Sequence, residues 1–164
     1  MKNTERILIQ LDNLDDAYSI YSVDNNMELK TEFVTHIVNQ ANDLNYTSNI
    51  EIDIKLSEKC DDAQKQHLKN DIIRYFKREV DEVKQRQKKF ALMACVMLLI
   101  GVAIGLVYHF FDGKVFVFEL VFEIGAWVFI WETVHIMGFQ IPEMRFKNRI
   151  SKRLAMAKIT FVWY

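Results

Sequence analysis

Glycine, proline and cysteine are scarce in this chain: five, one and two in 164 residues, with no glycine before Gly101 and Pro142 the lone proline. The polar first half therefore has no Gly-rich loop of the kind that brings backbone amides onto a phosphate. Neither a paired-cysteine metal signature nor a nucleophile elbow occurs. No nucleophile, base and oxyanion site can be assembled from the residues present, so no enzyme activity, cofactor or metal is expected. Asp12, Asp15, Asp16 and Asp24 fit no recognised cation-loop spacing and read as a solvated acidic loop. His36 and His67 are single histidines on predicted helices, read as surface or core residues. Cys60 lies before the most apolar stretch and Cys95 inside it. The two are not expected to pair, and reduced thiols suit a cytoplasmic domain.

Formal charge is missing from residues 90–111, FALMACVMLLIGVAIGLVYHFF. As a helix this stretch spans roughly 30 Å, the hydrocarbon thickness of a bilayer, so it is predicted to cross a membrane. A second stretch, residues 115–141, has the length but carries Glu119, Glu123 and Glu132; it is predicted to cross as well. Only Asp112, Gly113 and Lys114 separate the two, which demands a tight helical hairpin. Basic residues stand on the other side of both spans: Lys84, Arg86, Lys88 and Lys89 before the first, then Arg145, Lys147, Arg149, Lys152 and Arg153 after the second. By the positive-inside rule both termini are cytoplasmic, in a bacterial inner membrane, with these side chains at the lipid headgroups. No signal peptide is expected, because the first apolar run begins only at Phe90 after polar sequence.

A net charge of -1 conceals a gradient. Residues 1–62 hold five Lys/Arg against thirteen Asp/Glu, whereas residues 65–89 hold nine against four. Because the basic part is the part next to the membrane, headgroup attraction accounts for it, and nucleic-acid binding is not expected.

Residues 6–14 alternate apolar and polar like a strand, and residues 15–26, rich in Asp, Asn and Ser, read as an irregular loop. Leu29, Phe33, Ile37, Val38 and Ala41 predict an amphipathic helix over residues 27–44, and NIEIDIKL, residues 49–56, alternates strictly enough to be the best strand. From Ala63 onward, Leu68, Ile72, Phe76, Val80 and Val83 recur at helical spacing with no breaker before Gly101. This predicts one helix that runs on into the first span. Pro142 is expected to end or bend the second span. A basic amphipathic helix over residues 143–157 should then lie along the inner membrane surface, and KITFVWY should return as a strand. The expected fold is thus membrane α+β. Residues 1–89 form a small cytoplasmic α/β domain with a long membrane-entering helix, residues 90–141 a two-helix transmembrane hairpin, and residues 142–164 a basic helix and the C-terminal strand that completes the cytoplasmic sheet.

The string IGAWVFIWETVHI, with the basic helix after it and RLAMAKITF, resembles a widespread family of small bacterial membrane proteins. NIEIDIKL followed by IIRYFKREVDEVK is similar to that family's pre-membrane unit. The resemblance covers residue 33 to the C-terminus and implies an architecture: a short cytoplasmic α/β segment, a two-helix membrane hairpin and an Arg-rich tail. It implies no activity. The chain departs from the family pattern after Trp131, where Glu132, Thr133 and His135 stand in place of a basic residue, a proline and an acid.

An ionisable residue at the centre of a span costs on the order of 3 kcal/mol, so the three glutamates need an account. Glu119, a turn inside the outer end, can snorkel to the headgroups, while Glu123 shares its face one turn deeper. Glu132 and His135, three residues apart, fall on nearly the opposite face, either as a local pair or as part of a polar seam for protons or cations. Two helices cannot enclose a water-filled path, so self-association is expected. Gly101 and Gly105 form a small-xxx-small pair that seats either the second span or a neighbouring copy, and Trp127 and Trp131 supply packing or lipid contact. Two functions are open. One is a homo-oligomer whose cytoplasmic domain, under a protein or small-molecule regulator, controls an ion channel or a membrane-perturbing effector, with bacterial defence as a setting. The other is an anchored adaptor presenting an interaction domain.

Overall fold

The computed structural model describes residues 4–21, 28–45, 47–57, 60–110 and 116–163, and only the backbone of residues 108, 116–119 and 163. Among them run β1 (Thr4–Leu11), α1 (Thr31–Asp43), β2 (Asn49–Leu56), α2 (Asp62–Phe110), α3 (Phe116–His135), α4 (Ile141–Ala155) and β3 (Lys158–Trp163). The chain divides into two compact units, residues 1–81 with 148–164, and residues 82–147.

In the first unit the three strands form a parallel sheet in the order β1-β2-β3. Period-two alternation aligns Ile7, Ile52 and Ile159 in one row across the sheet, and all three are buried. Onto that row pack Phe33, Ile37 and Ala41 of α1, Leu68, Ile72 and Phe76 of α2, and Ile150 and Leu154 of α4. Two right-handed crossovers that step across a sheet in the same direction lay their helices on the same face. Among the described residues the opposite face is polar and carries no helix. It carries Arg6, Glu51, Asp53, Lys158 and Thr160, with Leu8 59% exposed. Parallel sheets are ordinarily covered on both faces, and here polar pairs take the place of the second layer. Arg6 Nε and Lys158 Nζ lie 3.3 and 3.6 Å from the Glu51 carboxylate, and the Thr160 hydroxyl donates to Asp53, which is buried in the central strand.

Three local features differ from the sequence expectation. Helix α1 begins at Thr31 rather than residue 27, because the chain before it is already committed. The Ser19 N–H donates to Glu28 O at 2.8 Å and the Lys30 N–H to Ala17 O at 2.9 Å, which holds residues 28–30 extended against Tyr18. The expected irregular loop contains a 3-10 turn, Leu14–Ala17, closed by a capping box in which Asn13 accepts from the Asp15 N–H and Asp16 accepts from the Asn13 N–H. Of the two outcomes expected at Pro142, an end or a bend, the helical path does not end there. The proline ring would press on the carbonyl of Gly138 in an α-helix, and the chain instead widens into a π-helical turn, Ile136–Gln140, with the Ile141 N–H bonded to Ile136 O.

In the second unit α2 and α3 run antiparallel. The Thr133 hydroxyl donates to Phe129 O at 2.9 Å and reaches Ala94 O at 3.4 Å, and Gly101 lies against Phe129 and Ile130. Asp112, Gly113 and Lys114, the expected hairpin turn, lie outside the described residues.

Candidate functional site on the apolar helix pair

Two helices of this chain are long and apolar enough to cross a membrane, one within Asp62–Val107 and one within Leu120–Ala155. Only 11% of the most apolar window of each is buried. Nearly all of that apolar surface therefore faces outward, including Leu92, Leu99, Leu106, Val121, Ile124 and Val128. A soluble core helix would be covered; these are not.

The two glycines that sequence spacing pairs have different surroundings. A Cβ on Gly101 would stand 3.3 Å from both Ile130 Cγ1 and Phe129 Cβ, so the missing side chain is what lets α2 and α3 close on each other at this level. A Cβ on Gly105 would meet nothing within 4 Å. Beside Gly105 is a depression of about 120 Å³, walled by Phe122, Glu123, Ala126, Trp127 and Ile130. Glu123 is exposed there and has neither a hydrogen-bond nor an ion-pair partner among the described residues. Trp127 and Trp131 also point away from the pair, 64% and 68% exposed. Glu119 lies on α3, but its side chain is outside those described.

Towards the other end of α3 the polar groups meet each other. His135 Nδ1 lies 4.0 Å from Glu132 Oε1, one turn back, and 3.5 Å from Gln140 Nε2, five residues on. The second contact is a product of the π-helical turn, which puts residues five apart on one face. The antiparallel register set by Thr133 and Ala94 brings Gln87 of α2 to about the level of Gln140. Gln87 Nε2 and Gln140 Oε1 are both buried without a hydrogen-bond partner. The π turn and these two amides were not anticipated; Pro142 four residues after Gly138 was the available signal.

Among the basic residues, Lys84, Arg86, Lys88, Lys89, Arg145, Lys147, Arg149 and Lys152 are exposed. Arg153 is partly buried and engaged in the first unit: its Nη2 donates to Asn45 O at 2.8 Å and to Ser48 O at 3.0 Å, fastening the α1–β2 connection. Asp12 pairs with the Ser57 hydroxyl at 3.4 Å, Asp24 lies outside the described residues, and among those described no three His, Cys, Asp or Glu side chains gather as a metal site.

A polar cluster unforeseen from sequence lies in the first unit. Asp71, 5% exposed, accepts from the Tyr18 hydroxyl at 3.0 Å, sits 2.9 Å from His67 Nδ1 and is bonded by the Arg74 guanidinium. Partial burial, then the bond to Asp71 and that carboxylate's charge, push the Tyr18 hydroxyl well above the usual tyrosine pKa. The spacing of His67, Asp71 and Arg74 on one helical face was the legible part of this cluster; Tyr18 was not.

Compared with protein-family models, with curated proteins and with solved structures, the chain matches none of them.

Proposed function

We propose that this chain is an integral membrane protein that works as a homo-oligomer, with its termini and sheet-containing unit in the bacterial cytoplasm. That unit regulates a polar transmembrane assembly, an ion channel or a membrane-perturbing effector of the kind used in bacterial defence. The observation that carries this reading is Glu123: an exposed carboxyl group, without a partner among the described residues, on a helix pair whose outward surface is mostly apolar. A carboxyl group is costly against acyl chains, so in a bilayer it needs other protein or water beside it, and more copies of the chain supply both. Regulation has support in α2, a single unbroken helix, Asp62–Phe110, that contributes residues to both units. The family resemblance in the sequence fits the same architecture.

The test is conductance of the purified full chain in planar bilayers, with membrane depolarisation on expression as its cellular counterpart. Replacing Glu123 and Glu132 together by Gln should change ion flux by at least several-fold. Unchanged conductance in a folded, inserted double variant rejects a conducting role for these side chains.

A second reading is an anchored adaptor, in which the helix pair holds an interaction domain at the membrane. Glu132 favours it to this extent: His135 is beside it, so one acid is accommodated locally. On that reading the Gln variants behave as the parent protein does, and a bound cytoplasmic protein or small molecule depends on the first unit alone.

A further inference from the structure

A shielded amide in a folded protein almost always has a hydrogen-bond partner. Gln87 Nε2, on α2, and Gln140 Oε1, at the end of the π-helical turn, are both shielded and have none. The two residues belong to the same unit and fall at about the same level, because counting equally from the Thr133–Ala94 contact along the antiparallel helices leads to Gln140 on one and Gln87 on the other. One atom is a donor and the other an acceptor, so they are complementary. A third polar group lies in the same turn. The Ile141 N–H is taken by Ile136 O and Pro142 has no N–H, which leaves Met137 O without a helical donor at either the α or the π spacing. The other end of the Gln140 amide is engaged: Nε2 lies 3.5 Å from His135 Nδ1, and that nitrogen lies 4.0 Å from Glu132 Oε1.

We propose that Gln87 and Gln140 hold a water molecule between α2 and the π-helical turn, which accepts from Gln87 Nε2 and donates to Gln140 Oε1. Where a shielded donor and a shielded acceptor stand at one level without bonding directly, water is the smallest group that serves both. Its second hydrogen has Met137 O in the same turn as Gln140, and three partners are what a buried water ordinarily has. The π-helical turn puts Gln140 on the face of His135, so the water ends a polar row that runs from Glu132 through His135 and Gln140 to Gln87. The polar side chains near the end of α3 are in this way joined to the seam between the helices. The site exists whether the helix pair conducts ions or only anchors the chain, and it stands or falls apart from the functional reading above.

Nuclear magnetic resonance of the full chain in bicelles reads the water directly. Cross-relaxation between water and the side-chain amide protons of Gln87 should show a long-lived bound molecule, which exposed Gln85 on the same helix does not show, and Gln140→Met should remove it. The first of these observations needs no variant, so it decides even where a variant fails to fold. A double-mutant cycle reads the joint itself. Gln87→Met and Gln140→Met keep side-chain length, and each alone leaves the other amide shielded without its partner. Each should raise the equilibrium constant for opening the helix pair about tenfold in steric trapping, and the two together should bring it back near the parent value, because both unpaired groups are then gone. Additive losses would overturn the joint, whatever the relaxation shows. Coupling without water cross-relaxation would reveal a direct amide pair and overturn the water site, as would a Gln87 signal that survives Gln140→Met.

Discussion

The Tyr18 hydroxyl donates a 3.0 Å hydrogen bond to the buried carboxylate of Asp71, across 53 positions of sequence. Tyr18 follows the 3-10 turn and Asp71 belongs to α2, so the bond pins the segment after β1 to the long helix. His67 and Arg74, on Asp71's own helix, complete the shell around this charge.

Tyr18→Phe should therefore cost about 1 kcal/mol of stability in the sheet-containing unit, the scale of one lost hydrogen bond. Because the chain has two units, a single melting curve does not isolate the effect. Amide hydrogen exchange in peptides from β1 and β2 does, and unaltered protection there would deny the bond any role in holding the unit together.

The same bond has a pH signature. A tyrosine whose pKa is raised on folding contributes stability that is complete below the unfolded value, near 10, and is lost as pH climbs through the folded value above it. The Tyr18 hydroxyl should resist ionisation at a pH where an ordinary tyrosine titrates, as read by ultraviolet difference absorbance. Tyr18→Phe should remove that lagging transition.

Arg153→Ala should destabilise the α1–β2 connection by about 2 kcal/mol, since hydrogen bonds from a charged donor to the Asn45 and Ser48 carbonyls are lost together. Arg153→Lys should restore only part of this, because an ammonium lacks the planar geometry of the guanidinium. Accelerated exchange at residues 45–50 is the readout. If Arg149→Ala on the exposed face accelerates those amides equally, the specific role of Arg153 fails.

Gly101→Val should loosen the helix pair by about 1 to 3 kcal/mol, as overpacking at a tight contact does. Gly105→Val should leave the protomer's own packing unaffected. Steric trapping or protease susceptibility in bicelles compares the two, and equal sensitivity would contradict the different surroundings of these glycines.

Thr133→Ala should cost a smaller amount, about 0.6 kcal/mol, because its hydroxyl can satisfy itself on Phe129 O within its own helix and reaches Ala94 O only at 3.4 Å. The same trapping measurement checks it, with Thr133→Ser expected to behave as the parent does.

Periodic pattern made much of the architecture readable. NIEIDIKL is β2 to the residue, the absence of a breaker before Gly101 corresponds to the unbroken α2, and the C-terminal run is β3. Such features follow from side-chain period and backbone stiffness, which act between neighbours in sequence. The Glu132–His135 contact belongs with them, since three residues on a helix always share a face.

Other features depended on what the fold brings together. Local pattern holds nothing that directs Tyr18 to Asp71, Arg153 to the carbonyls of Asn45 and Ser48, or Gly101 rather than Gly105 to α3. The late start of α1 and the π turn before Pro142 are equally tertiary in origin, each a compromise between helical preference and a backbone already engaged or obstructed. The amino-acid order by itself determined which segments are helix or strand and which two are apolar enough for a bilayer, because period and hydropathy are summed along the chain. Which glycine is spent inside the protomer, and which acid is left facing outward, only the packing of α2 against α3 decided, because both depend on the rotation and register of one helix against another.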